Sequence, residues 1–86
     1  KISSIEDGSF KTLISLEILY LRFNFLFQLQ PYLFDTNRIL KIVYIDRNMI
    51  SKIHKMTFQN LTLLTDLSLQ ENNLHELDEN VFSSMV

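Results

Sequence analysis

The chain has 86 residues, 47% of them hydrophobic and 21% charged, a globular composition sized for one small domain. Its net charge of −2 gives no general pull toward nucleic acid or acidic lipid. It has no cysteine, which excludes disulfides and thiolate metal sites, and no apolar run reaches the ~18 residues a membrane helix needs.

In chain order, the opening stretch KISSIEDGSF carries no signal-peptide core. Residues 16–26, LEILYLRFNFL, predict a short strand over 18–22. Alternation turns Leu19 and Leu21 inward and Ile18, Tyr20 and Arg22 outward. Leu29, Pro31, Phe34 and Asn37 then lead to a second such run at 40–50, LKIVYIDRNMI, with a strand over 42–46. Ile53 and Phe58 follow, and then the tripeptide Asn60-Leu61-Thr62, an N-glycosylation sequon. A third run at 64–74, LTDLSLQENNL, predicts a strand over 66–70, and Leu77, Phe82 and Met85 close the chain. With one glycine and one proline, turning falls to asparagine, aspartate and serine.

These runs repeat with a period of 24 residues. Phe10, Phe34, Phe58 and Phe82 share a column, as do Asn24, Asn48 and Asn72. Leu16, Leu40 and Leu64 coincide, and so do Leu19, Val43 and Leu67, then Leu21, Ile45 and Leu69. Leu26, Ile50 and Leu74 continue the pattern, followed by Leu29, Ile53 and Leu77. One column breaks: Leu13, Asn37, Leu61, Met85. The pattern L-x-x-L-x-L-x-x-N-x-L resembles the leucine-rich-repeat family, in its typical 24-residue subclass, common in extracellular receptors and matrix proteins. The resemblance implies an α/β leucine-rich-repeat solenoid, with short parallel strands on a concave face and loop or short helical returns on the convex side. The expected organisation is one array over 1–86: a partial repeat 1–15 and repeats 16–39, 40–63 and 64–86. Extracellular members of the family have cysteine-rich caps. This chain has none, so it is expected to be an internal segment of a longer solenoid. Pro31 falls one residue later than the subclass usually places it, whereas Gly8 ahead of Phe10 fits.

Stacked repeats share one core, so the column residues are structural. The asparagine column has its own reason. A sharp turn after each strand leaves buried backbone groups unpaired, at about 1–3 kcal/mol each. An asparagine side chain offers donors and an acceptor together and can bond its own coil and the next. Aspartate there would bury a charge. Asn73, beside Asn72, belongs to a variable column.

Function is therefore sought in the outward columns: Ile18–Ile42–Asp66, Tyr20–Tyr44–Ser68, Arg22–Asp46–Gln70 and Phe23–Arg47–Glu71. Ile18, Tyr20, Phe23, Ile42 and Tyr44 form an apolar, aromatic patch where the template tolerates polar residues, and such patches mark interfaces. Ordinary cross-strand packing, at roughly 0.2–1 kcal/mol per pair, is the competing account. Arg22 beside Asp46 and Arg47 beside Glu71 are expected as solvated surface pairs worth about 0–1 kcal/mol. His54 and His75 have no metal-ligand spacing, there is no phosphate loop or catalytic triad pattern, and no cofactor is implied. The expected role is a protein-binding module without enzymatic activity, taking a protein ligand and no nucleic acid, in the ectodomain of a receptor or in a secreted protein. Asn60 is the expected glycosylation site, which suits an extracellular or cell-surface setting. A membrane anchor, if the parent carries one, lies outside this segment. A structural matrix protein of the small leucine-rich proteoglycan type, or an intracellular scaffold or enzyme regulator, are the alternatives.

Overall fold

The computed structural model describes residues 2–6 and 8–74 and the backbone of Glu76–Leu77. Phe82 and Met85, expected in repeat columns, and His75 lie outside the described residues. The element order is β1 (Ile18–Tyr20), β2 (Gln28–Leu29), β3 (Ile42–Tyr44), β4 (Lys52–Ile53), β5 (Asp66–Ser68) and β6 (Glu76–Leu77). Odd strands form one parallel sheet, β1-β3-β5, and even strands a second, β2-β4-β6. Register follows the sequence period: Tyr20 opposes Tyr44, and Tyr44 opposes Ser68. Leu29 opposes Ile53, and Ile53 opposes Leu77.

Two expectations are corrected here. The strands of the first sheet are three residues long, not five. Ladder bonding does continue beyond them, with Leu21 N–H donating to Tyr44 O at 2.8 Å and Phe23 N–H to Asp46 O at 3.2 Å. What bends the chain away is the residue before each asparagine: Phe23, Arg47 and Glu71 have φ of 57°, 59° and 56°, left-handed values that end a strand. The second correction concerns the returns and the α/β class. Among the described residues there is no helix. The return begins as the second parallel sheet and goes on as a string of turns. In the return that follows β2, Leu33, Asp35, Asn37 and Leu40 N–H groups each bond a carbonyl three residues back, at 3.1 to 3.3 Å. Pro31 has no N–H to give, and the Asp35 and Asn37 side chains bond neighbouring coils rather than their own return. So the described residues form a solenoid of short parallel strands with turn-built returns.

The core runs along the axis between the two sheets. Leu40, Val43, Ile45, Ile50 and Phe58 are fully buried, because the middle coil has a neighbour on both sides. Leu19, Leu21, Leu67 and Leu69 are partly buried against it. The phenylalanine spine is present: Phe10 and Phe34 stack at 5.9 Å, and Phe34 and Phe58 at 5.7 Å.

The asparagines perform the expected task, toward the preceding coil. Asn48 Oδ1 accepts from Leu26 N–H at 3.0 Å, and its Nδ2 donates to Leu21 O, Ile45 O and Asp46 O at 2.8, 3.1 and 3.3 Å. Asn72 repeats this on Ile50 N–H and Ile45 O, both one coil back, and on its own Leu69 O. Asn24 does so on Ile2 N–H and Leu21 O. Asn37, the odd member of its column, is fully buried. Its Nδ2 reaches Phe10 O and Leu13 O, each at 2.9 Å, so it ties two returns together where leucine would only pack. Threonines do likewise: Thr36, Thr57 and Thr65 hydroxyls donate to Lys11 O, Gln30 O and Lys41 O of the coil before.

Candidate binding face

The outward residues of β1, β3 and β5 form rows across the concave sheet. The first row is Ile18, Ile42, Asp66, and the second is Tyr20, Tyr44, Ser68. Ile18 is 49% exposed and Tyr20 58%, while Ile42 and Tyr44 are half-buried between neighbours. The tyrosine rings stack at 5.1 Å with planes 17° apart, a geometry that stiffens both side chains.

Phe23 departs from its expected place. It lies beyond β1, in the left-handed turn, not among outward strand residues. It remains 47% exposed, but its ring carries two cations: the Arg22 and Arg47 guanidinium carbons sit 5.6 and 4.7 Å from its centroid. Both arginines are also ion-paired. Arg22 Nε meets Asp46 Oδ2 at 3.0 Å and Arg47 Nε meets Glu71 Oε2 at 2.9 Å. The second pair is exposed on both sides, as expected. The first is not a solvated surface pair: the Asp46 side chain is only 7% exposed, and its Oδ1 is buried with no hydrogen-bond partner. Asp46 is covered because it stands in the middle coil, between Arg22 and Gln70.

Beside Tyr44 the sheet hollows into a groove of about 440 Å³, lined by Tyr44, Asp66, Ser68, Gln70, Asp46 and Arg22 among others. Asp66 is exposed, and among the described residues it has no ion pair or side-chain hydrogen bond. Strand alternation marks Asp66 and Ser68 as outward. Only the stacked tyrosines beside them give those positions a shape.

Other features lie off this face. Asn60 is on the return and half-buried, its Nδ2 donating to Asp35 Oδ1 at 2.9 Å. His54 Nδ1 accepts from Met56 N–H at 3.0 Å, a local turn contact. Phe25, Met49 and Phe27 are 50%, 51% and 54% exposed just past the asparagine turns. The sequence reading passed over them, although Phe25 and Met49 are one period apart. Among the described residues no helix is long and apolar enough to cross a membrane.

Two parallel sheets in 24-residue register, an asparagine ladder and a phenylalanine spine define a leucine-rich-repeat solenoid. The family model for the leucine-rich repeat matches residues 38–86, more than half of the chain, and the chain belongs to that family. It is similar to the crystal structure of the leucine-rich repeat domain of APL1B, with a TM-score of 0.93 and 30% identity over 98% of this chain. It is also similar to the crystal structure of the LRIM1/APL1C complex, with a TM-score of 0.93 and 28% identity over 98% of this chain. The chain spans 26% of the first of those proteins and 16% of the second. No curated protein sequence matches it. Domains of this family are in general protein-binding modules rather than enzymes.

Proposed function

We propose that the chain recognises a protein partner with its concave sheet, through Ile18, Tyr20, Ile42 and Tyr44, with Phe23 at the edge of the contact. The observation that carries this is the pair of stacked tyrosines on adjacent strands, Tyr20 exposed and Tyr44 half-buried. The fold places no demand on these columns, since Ser68 and Asp66 fill the same columns in the third coil. Rigid aromatic groups with little rotamer entropy left to lose are what recognition surfaces concentrate their energy in. The likeness to a complex that contains leucine-rich-repeat chains supports a protein as the partner. We place the chain in the ectodomain of a receptor or in a secreted protein, with a recognising and not a catalytic role, and with sugar on Asn60. Asn60 stands on the return, so a glycan there leaves the concave sheet open.

Panning a random displayed peptide library on the protein tests the assignment. Tyr20→Ala and Tyr44→Ala should each weaken the selected binders by about 1–3 kcal/mol, and Gln59→Ala on the return should leave them unchanged. Binders that ignore both tyrosines and respond to Gln59→Ala would move the site to the return and end the concave-face reading. For Asn60, expression in a glycosylating host should give a mass increment that Asn60→Gln removes.

A further inference from the structure

The tyrosine stack stops one ring short. Tyr20 and Tyr44 are parallel to within 17°, and β3 lies between β1 and β5. The face of Tyr44 turned away from Tyr20 therefore looks toward β5. Its in-register neighbour there is Ser68, too small to continue the stack, and the 440 Å³ groove occupies that space. The groove so has one flat aromatic wall.

Its charge is equally specific. Arg22 and Arg47 line it, but Asp46 and Glu71 hold them and both guanidinium groups lie over Phe23. Among the described residues Asp66 has no such partner. It precedes Ser68 by two residues, roughly 7 Å along the strand, within span of a group stacked on Tyr44. Asp46 also lines the groove, its charge matched by Arg22. The uncompensated charge beside the aromatic wall is negative.

We infer that the groove receives an arginine side chain of the partner protein, its guanidinium stacked on the open face of Tyr44 where a third ring would stand and paired with the Asp66 carboxylate. This rests on the concave-face reading and adds the chemistry of the partner. A guanidinium is planar, stacks on aromatic faces and meets a carboxylate with two parallel donors, whereas an ammonium is a compact, strongly hydrated point charge that uses neither the flat wall nor the fork. Apolar side chains flanking that arginine then cover Ile18, Tyr20 and Ile42.

Nuclear magnetic resonance titrations of the isotope-labelled protein with N-acetyl-arginine amide, N-acetyl-lysine amide and the neutral N-acetyl-citrulline amide test the inference. The arginine probe should shift the Tyr44 and Ser68 signals. The lysine probe should bind several-fold more weakly and the citrulline probe show no saturable binding. Asp66→Asn should reduce arginine affinity about tenfold, as expected for loss of one charge-assisted contact. Ser68→Tyr, which completes the stack, should abolish binding, and circular dichroism checks that both variants keep the fold. Equal affinity for arginine and citrulline, or an arginine affinity indifferent to Asp66→Asn, overturns the inference. Peptides that still depend on Tyr20 while the arginine probe fails would remove the arginine and leave the concave face standing. Arginine binding alongside peptides indifferent to both tyrosines would do the reverse.

Discussion

Asn48→Ala removes four hydrogen bonds at once, yet their number overstates the damage. Each carbonyl that Asn48 serves keeps another donor. Leu21 O retains Asn24 Nδ2 at 3.2 Å, Ile45 O retains Asn72 Nδ2 at 3.1 Å, and Asp46 O retains Phe23 N–H at 3.2 Å. The orphan is Leu26 N–H, whose acceptor is Asn48 Oδ1 and whose residue is fully buried. One buried amide left unpaired costs about 1–3 kcal/mol, and that is the expected loss in urea unfolding, with the slope against urea unchanged. Asn73→Ala, at an exposed position, should cost nothing measurable. Asn48→Asp separates donor from acceptor. A carboxylate could still accept from Leu26 N–H, but it would set oxygen against Leu21 O and Ile45 O, now 2.8 and 3.1 Å from Nδ2. Its loss should exceed that of alanine at neutral pH. The site would favour the protonated acid, which can donate, so this variant should gain stability relative to Asn48→Ala as the pH falls through its raised pKa. Amide hydrogen exchange locates the effect, since Leu26 should lose protection in Asn48→Ala ahead of other core amides. Equal losses for Asn48→Ala and Asn73→Ala, or a Leu26 amide as protected as before, would refute the ladder argument.

Phe34 lies between Phe10 and Phe58 in the spine, so Phe34→Ala should cost about 3–5 kcal/mol in the same melts. Gly8 has φ +81° and a Cβ added there meets nothing within 4 Å, so Gly8→Ala should cost about 1–2 kcal/mol from backbone strain alone. Tyr32, one period later, holds φ 63° with a side chain 56% exposed, and Tyr32→Gly should be neutral or stabilising by up to about 1 kcal/mol. Arg22→Ala strands the buried Asp46 carboxylate and should cost about 1–3 kcal/mol, against less than about 1 kcal/mol for Arg47→Ala, whose pair is exposed.

Inward columns were legible in the sequence because a period of 24 aligns side chains of one chemistry. Leu40, Val43, Ile50 and Phe58 follow from that period alone, and all four are fully buried. The turn that ends each strand was not legible. Phe23, Arg47 and Glu71 adopt left-handed backbone without being glycine or asparagine, so no residue type announces them. The second sheet escaped for a different reason. Two residues per strand, Gln28–Leu29 and Lys52–Ile53, are too few to show alternation. The returns stood open between loop and short helix, and the structure builds residues 30–40 as a string of turns. Pro31 removes one backbone donor from the return, and the Asp35 and Asn37 N–H groups bond carbonyls three residues back, as β-turns do. At the candidate face, outward positions followed from alternation, while the burial of Asp46 needed its two neighbouring coils.

The separation of inward and outward columns has an energetic consequence. Stability in a solenoid is a sum over coils and the interfaces between them. Besides the backbone ladders, side-chain bonds that join coils here come from Asn24, Asn48, Asn72, Asn37 and the threonines, and of these only Thr65 lines the groove. The side chains of Tyr20, Tyr44, Asp66 and Ser68 make none of those side-chain bonds, and their backbone ladder bonds do not depend on side-chain identity. Substitutions in the rows can therefore change what binds without loosening the stack, and substitutions in the ladder can weaken the stack while leaving the surface chemistry intact. Arg22 and Asp46 are the exception. Their pair belongs to the face, yet it closes a buried carboxylate between coils, so a change there moves stability and recognition together. That coupling also sets the limit on how basic the groove can become. Any change that frees Arg22 from Asp46 exposes a positive charge beside Tyr44 and leaves a negative one buried beneath it, which opposes a cationic partner and the fold at once.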